Sequence, residues 1–146
     1  MEIRKDDSGK VSYDGVHCRL TIERPRGGIL IVRISGRDVG EFGAAPMREL
    51  ARVIAADGMI ELFIDARDVQ GASLDVSNDW AQWLAKHRAR LRRIHMLTGS
   101  RFIRITADFV RRFAGLNEIM RIYTDPSAFD ESAAHAASIP RDRDPE

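Results

Sequence analysis

An apolar run followed by an amphipathic helix is the feature of the sequence that most restricts its fold. Residues 60–65 read IELFID, a run too short for a helix but apolar enough for a strand covered on both faces. Beyond a polar stretch at 66–73, residues 74–91 place apolar side chains at helical spacing over about four turns: Val76, Trp80, Trp83, Leu84, His87 and Leu91. A strand, a loop and a helix in this order are typical of an α/β sheet.

Hydrophobic patterning also predicts the remaining elements. Alternating apolar and polar residues indicate strands at 16–23 and 29–36, and the short glycine-containing turn between them predicts a hairpin. The other predicted elements are a helix at about 42–57, a strand at 92–99, a helix at 107–116, a strand at 119–124 and a helix from 125 to about 137.

The helix predicted at 107–116 has an uncertain beginning. Thr106 is a candidate N-cap, and Phe109 and Phe113 are then expected to pack inward with Val110 and Ala114. Residues 101–105 fit either a loop or the start of the helix, and the pattern does not decide between them.

The order of these elements predicts one α/β domain at residues 16–137. Because consecutive parallel strands are linked by right-handed crossovers, we expect a five-stranded, mostly parallel mixed sheet with about four helices and with residues 60–65 inside it. Residues 1–15 are polar and rich in turn formers, which predicts a flexible N-terminal segment with one short strand at most. Pro140 and alternating charges predict a disordered C-terminal tail at 138–146.

Composition and missing motifs exclude several classes of protein. The 146 residues, 44% of them hydrophobic, suit one globular domain, and no apolar stretch approaches the roughly 20 residues of a membrane span. We therefore expect no membrane span and a cytoplasmic location. No Gly-rich phosphate loop, His-Glu-x-x-His pair or nucleophile elbow occurs, and Cys18 is the only cysteine. The sequence thus predicts no catalytic residue, no metal and no cofactor.

The element order, the strand ending in Asp65, the tryptophan-bearing helix, the segment RRIHMLTG and the last strand leading into YTDPSAFDES together resemble the STAS domains. These are sulfate-transporter and anti-sigma-factor-antagonist modules, and the chain resembles in particular their bacterial SpoIIAA-like group, over residues 16–137. The resemblance implies a SpoIIAA-like α/β fold and a non-enzymatic regulatory module that binds a partner protein through the loop and helix at 66–91.

The same resemblance points to a regulatory serine. In the antagonists a phosphorylatable serine lies in an Asp-Ser-Ser-Gly-like stretch at the start of this helix, whereas residues 71–79 here read GASLDVSND. Ser73 and Ser77 are the candidates by position, although Ser73 also suits a helix N-cap. The predicted partner-binding or regulatory residues are Asp65, Asp68, Ser73, Ser77 and Trp83, with Trp80 expected in the core and Trp83 partly exposed.

Three other partners remain open from the sequence. Trp80, Trp83, Met96 and Phe102 could line a cavity for a small apolar ligand or a lipid. The segment 86–112 carries nine basic residues and one acidic residue, a local net charge of +8. It could bind a polyanion through Arg88, Arg92, Arg101 and Arg104, although no aromatic stacking platform accompanies it and the charge also suits a helix end, so nucleic acid is disfavoured. A homodimer is the third alternative.

Overall fold

Seven strands, paired with one another in chain order, form the sheet of the computed structural model, which describes residues 1–138. The strands are β1 (Glu2–Lys5), β2 (Val11–Asp14), β3 (Cys18–Arg26), β4 (Ile29–Asp38), β5 (Ile60–Ala72), β6 (Leu91–Thr98) and β7 (Met120–Tyr123). The helices are α1 (Ala45–Asp57), α2 (Leu74–Lys86), α3 (Arg101–Phe113) and α4 (Pro126–Ser138), and a short 3₁₀ turn, Arg88–Arg90, follows α2. Ser138 ends α4, and the rest of the tail predicted at 138–146 lies outside the described residues.

The prediction of five strands is wrong, because the described residues form seven. Both additional strands, β1 and β2, lie within residues 1–15. In β2, Val11 and Tyr13 are buried, and the Tyr13 ring packs against Phe42 with 5.8 Å between ring centroids. Two apolar residues among polar ones are too weak a pattern to separate from a flexible segment. The sheet is also not mostly parallel as predicted, because pairing is antiparallel from β1 to β4 and parallel from β4 to β7.

Strand β5 lies between β4 and β6, so the internal position predicted for residues 60–65 is confirmed. It continues to Ala72, however, and therefore includes most of the loop predicted at 66–73. Its register with β4 shifts twice, once beyond the pair Arg33–Asp65 and again beyond Gly36–Val69. Such irregularities re-aim side chains along a strand, so residues 66–72 are strand residues with altered facing and not a loop.

The two faces of the sheet carry different helices. Leu62 and Ile64 of β5 belong to the larger core, which includes Leu50 of α1, Leu84 of α2 and Ile103 of α3. Phe63, between them in sequence, belongs to a smaller core formed with α4. Because successive side chains of a strand point to opposite faces, α1, α2 and α3 cover one face and α4 covers the other.

Helix α3 begins earlier than the sequence suggested. Ser100 is its N-cap, since the Ser100 hydroxyl oxygen accepts a hydrogen bond from the Ile103 N–H at 3.1 Å. Thr106 lies inside the helix and donates to the Phe102 carbonyl oxygen. The predicted inward packing of Phe109 and Phe113 is also wrong, because both rings are exposed while Val110 is buried.

No helix within residues 1–138 is both long and apolar enough to cross a membrane.

Candidate functional site

Exposed apolar side chains mark one edge of the sheet, where the parallel strands end. Strands β4, β5 and β6 all finish at this edge, which we call the carboxyl edge. Each strand is followed within four residues by an exposed apolar side chain: Val39 after β4, Leu74 after β5 and Phe102 after β6. In open α/β sheets the carboxyl ends of the strands are where ligands gather, which makes this edge a candidate site.

Helix α3 extends this apolar surface along its length. Phe102, Ile105, Phe109 and Phe113 follow one another at spacings of three and four residues, and we call them the α3 stripe. All four are exposed, Phe102 by 61% and Phe113 by 63%, and the Phe109 and Phe113 rings stack with 5.8 Å between centroids. Soluble monomers rarely expose contiguous apolar side chains of this size, so the stripe is typical of an interaction surface.

The opposite side of α3 explains why the stripe stays uncovered. Ile103, Ala107 and Val110 are buried against the sheet, and α3 also packs against α2. With 3.6 residues per turn, one helix cannot bury both sets of apolar side chains against one sheet. The sequence pattern assigned Val110 and Ala114 to the core correctly and Phe109 and Phe113 wrongly.

Ser73 and Ser77 lie at the start of α2. Ser73 is its N-cap, with its hydroxyl oxygen accepting from the Val76 N–H at 3.2 Å and its own N–H donating to the Asp38 carbonyl oxygen at 2.9 Å. The Ser77 hydroxyl donates to the Ser73 carbonyl oxygen. Ser73 is half-buried and borders the exposed Leu74, which is 74% exposed.

The burial of Trp83 and Trp80 is the reverse of what the sequence predicted. Trp83 is buried, and its ring stacks on His87 with 4.2 Å between centroids. Trp80 is only half-buried. Trp83 is therefore a core residue that a partner cannot reach without rearrangement.

Asp65 and Asp68 lie apart from the two serines. Asp65 is buried and pairs with Arg67 at 3.0 Å, and Arg67 also bridges to Asp130 of α4. Asp68 is exposed and lines an open cleft with Asp65 and Arg33. Both carboxylates therefore lie on the α4 side of the sheet, whereas Ser77 and Trp83 lie on the α2 side.

The four arginines of the predicted polyanion site form two separate pairs. Arg88 donates to the Gly115 carbonyl oxygen at 2.8 Å, and Arg92 pairs with Glu61 at 3.2 Å, both near the start of β6. Arg101 and Arg104 lie in the first turn of α3, at the carboxyl edge. A 13-residue helix separates the pairs by about 20 Å along its axis, so they do not make one patch.

An apolar cavity of about 70 Å³ lies between α2, α3 and the sheet. Trp80 and Met96 line it, as the apolar-ligand alternative expected, but Trp83 and Phe102 do not. Small-molecule sites usually enclose roughly 300 Å³ or more. In this conformation the cavity is too small for a lipid chain.

Asp38, at the carboxyl edge of the sheet, is a candidate site residue that the sequence pattern did not reveal. It ends β4, is buried, and borders both the apolar cavity and an adjoining cleft that reaches Phe42 and Asp79. Burial raises the pKa of the Asp38 carboxyl, the nearby charge of Glu41 raises it further, and a hydrogen bond from the Gly40 N–H opposes the shift. The signal in the sequence that could have pointed to Asp38 was an aspartate at the end of an apolar strand, two residues before a glycine.

Replacing Asp38 with Asn is expected to stabilise the fold at neutral pH. A raised pKa means that the folded protein favours the protonated carboxyl, so this contribution to stability is present below the ordinary value of 3.8 and is lost as pH rises through the folded-state value. Asparagine stays neutral and still accepts from Gly40. Urea denaturation of both proteins at neutral pH and below pH 3.8 measures the effect. A destabilisation of equal size at both pH values would contradict this assignment.

Neither thiol nor metal chemistry is supported within the described residues. Burial raises the pKa of Cys18 to about 12, so its thiol stays protonated at neutral pH and is a poor nucleophile. Between residues 1 and 138, no group of three or more His, Cys, Asp or Glu side chains is arranged to hold a metal ion.

The layered sheet, with three helices on one face and one on the other, has known counterparts. No family model matches the sequence, and no curated protein matches it. Among solved structures, the chain resembles an uncharacterized DUF3478-family protein with a SpoIIAA-like fold from Shewanella loihica PV-4, at 18% identity and a TM-score of 0.56, over 83% of this chain and 98% of that one.

A second counterpart is the cell fate determinant SpoIIAA of Bacillus in its phosphorylated form, at 16% identity and a TM-score of 0.52, over 77% of this chain and 98% of that one. The anti-sigma factor antagonist SpoIIAA in its unphosphorylated form matches at 15% identity with a TM-score of 0.49, over 79% and 96% of the two chains. The chain therefore has a SpoIIAA-like fold, and the resemblance predicted from the sequence is confirmed at that level.

Proposed function

We propose that this protein is a non-enzymatic regulatory module that binds a partner protein through Leu74 and the α3 stripe. The observation that carries the proposal is the row of four exposed apolar side chains on one helix, three of them phenylalanines. Aromatic side chains are typical anchors of protein interfaces. The part of the predicted segment 66–91 that takes part is the exposed start of α2, since residues 66–72 are strand and Trp83 is buried.

Charge around the stripe favours an acidic partner. Helical geometry places Arg101 one turn before Ile105, with Arg104 further round the same flank. Arg112, near the other end of the stripe, pairs with Asp108 at 3.1 Å. A second copy of the chain, packed with its α3 antiparallel to this one, would bring Arg101 close to Arg112 of the copy, and like charges at an interface oppose binding. A partner with apolar side chains surrounded by carboxylates meets both features.

Ser73 supplies a means of regulation. A phosphate on Ser73 would add roughly −1.5 to −2 charges next to Leu74, at a helix N-terminus that favours negative charge. Asp75 and Asp79 would oppose it. The phosphorylated form known for SpoIIAA of Bacillus supports this idea by analogy of fold. Ser77 is a weaker candidate, because its hydroxyl is engaged at the Ser73 carbonyl oxygen and lines the cavity.

The test replaces two anchors and compares them with a distant apolar residue. A photo-crosslinking amino acid at position 105 identifies the partner in cells, and binding of the purified partner is then measured. Phe102→Ser with Phe109→Ser is expected to weaken binding by about 30-fold or more, since interface anchors contribute at least about 2 kcal/mol. Met59→Ser removes a similarly exposed apolar side chain beside the start of β5 and should leave binding unchanged.

Two results would contradict the proposal. One is a partner whose affinity is the same for the wild type, the double variant and Met59→Ser. The other is flotation of the protein with anionic vesicles, lost at high salt and in the double variant, because the stripe would then contact lipid instead of a protein.

A further inference from the structure

A chain of hydrogen bonds crosses the α4 face of the sheet, on the side away from the α3 stripe. His95 of β6 contacts the Glu61 carboxylate with Nε2 at 2.6 Å and the Tyr123 hydroxyl with Nδ1 at 2.7 Å. The Tyr123 hydroxyl is in turn 3.2 Å from the Ser132 hydroxyl of α4. Four polar side chains from three strands and a helix are thus joined in one chain.

Packing holds this chain in place. The His95 ring stacks on the fully buried Phe63 ring, with 4.2 Å between centroids and 4° between planes. Tyr123 is buried, and its ring meets Phe129 edge to face. These contacts therefore fix the positions of the His95 and Tyr123 side chains on the α4 face of the sheet.

The proton positions follow from the donors and acceptors. A carboxylate only accepts, so His95 Nε2 carries a proton and donates it to Glu61. The hydrogen bond from His95 lowers the pKa of the Glu61 carboxyl, and the charges of Arg92 and Arg93 lower it further. Glu61 is therefore ionised at neutral pH, where it pairs with Arg92 at 3.2 Å and accepts the hydrogen bond from His95.

A cleft of about 350 Å³ opens directly over these residues, between β6, β7 and the second half of α4. Arg93, Arg121 and His135 line it, in addition to Glu61, His95, Tyr123 and Ser132. Neither Arg93 nor Arg121 forms a salt bridge with any residue between 1 and 138, and Arg121 stacks over the Tyr123 ring at 4.5 Å from its centroid. The cleft thus offers two guanidinium groups that have no salt-bridge partner within residues 1–138.

We propose that this cleft binds a small phosphomonoester, with Arg93 and Arg121 holding the phosphate and Ser132 and His135 at its margin. Arginine side chains match the oxygens of a phosphate with paired N–H donors, and two of them suit an anion of two charges better than a carboxylate. The volume exceeds what a bare phosphate fills and falls within the usual range for small-molecule sites. The proposal is independent of the partner surface, which lies on the other face of the sheet.

The test is an NMR titration of the ¹⁵N-labelled full chain with phenyl phosphate at constant ionic strength, with inorganic phosphate and benzoate as comparison probes. We expect saturable shifts confined to the amides near Arg93, Arg121 and Ser132, and weaker binding of both comparison probes. Arg121→Gln should weaken phenyl phosphate binding by about tenfold or more, since a hydrogen bond to a charged group contributes at least that factor. Arg48→Gln removes the same charge from the exposed surface of α1, on the other face of the sheet, and should leave the affinity unchanged.

Four outcomes would overturn the proposal. Shifts that do not saturate, or an equal loss of affinity in Arg121→Gln and Arg48→Gln, would show only general attraction to a basic protein. Benzoate binding as tightly as phenyl phosphate would reject the preference for phosphate. Inorganic phosphate binding as tightly as phenyl phosphate would mean that the cleft does not recognise the organic group of a phosphomonoester.

Discussion

Replacing Phe63 with Ala is expected to lower the free energy of unfolding by about 3–5 kcal/mol, the usual cost of removing a fully buried aromatic ring. Phe63 is 0% exposed and lies in the internal strand β5. Its ring contacts His95 on one side and meets the Phe129 ring of α4 with 5.9 Å between centroids. The loss should be large because Phe63 is enclosed by the other side chains of the smaller core under α4, and such surroundings relax only partly around the cavity left behind.

Phe102→Ala is the matched control for this prediction. It removes the same ring from an exposed position and should change stability by no more than about 0.5 kcal/mol. Urea denaturation followed by circular dichroism measures both variants. A loss for Phe63→Ala no greater than that for Phe102→Ala would mean that the core under α4 contributes little to the fold. Because Phe63 also supports His95, the variant is further expected to weaken phenyl phosphate binding at the cleft.

Strand β5 shows how much of the fold the hydrophobic pattern of the sequence could predict. The run at 60–65 lacks polar alternation because both of its faces are covered, and that was enough to predict an internal strand and an α/β sheet. Its true end at Ala72 could not be read in the same way, since β-sheet irregularities opposite β4 change which side chains face inward. The polar residues 66–73 therefore looked like a loop although most of them continue the strand.

Helix α3 shows why the exposed apolar surface could not be predicted from the sequence. Two apolar stripes share this helix, one formed by Ile103, Ala107 and Val110 and the other by the larger phenylalanines. Size and hydrophobicity favoured the phenylalanines as core, but the close packing of α3 on the sheet and on α2 selected the smaller residues. The exposed phenylalanines form the surface that we propose for a partner, because contiguous exposed apolar side chains are typical of an interaction site.

The polar features of the sheet depended on contacts that the sequence does not contain. Glu61 and His95 lie 34 residues apart and meet because parallel β5 and β6 place Glu61 beside Arg93 and Phe63 beside His95. Likewise, Asp65 and Ser77 are close in sequence but lie on opposite faces of the sheet. Closeness in sequence therefore grouped residues that lie apart in the fold. It gave no signal for residues such as Glu61 and His95, which meet only through the register of neighbouring strands.

Replacing Asp57 with Ala is expected to cost about 2–4 kcal/mol of stability, because it removes a buried carboxylate that joins α1 to the β3–β4 turn. Both Asp57 oxygens accept from the Arg24 guanidinium at 2.7 Å, and one also accepts from the Gly28 N–H at 2.8 Å. The Asp57 side chain is only 4% exposed, whereas that of Arg24 is 47% exposed and can be rehydrated. Most of the cost should therefore come from the buried Gly28 N–H that loses this acceptor.

Glu49→Ala supplies the control on the same helix. Glu49 also holds an arginine, Arg52, through both carboxylate oxygens, but that pair is local to the surface of α1 and should contribute no more than about 1 kcal/mol. Urea denaturation at low and at high salt compares the two variants. Salt screens the surface pair and leaves the hydrogen bond to the buried Gly28 N–H largely intact, so the loss for Asp57→Ala should persist at high salt. Equal losses for the two variants, both removed by salt, would mean that Asp57 acts only as a surface ion pair and does not hold the turn to the end of α1.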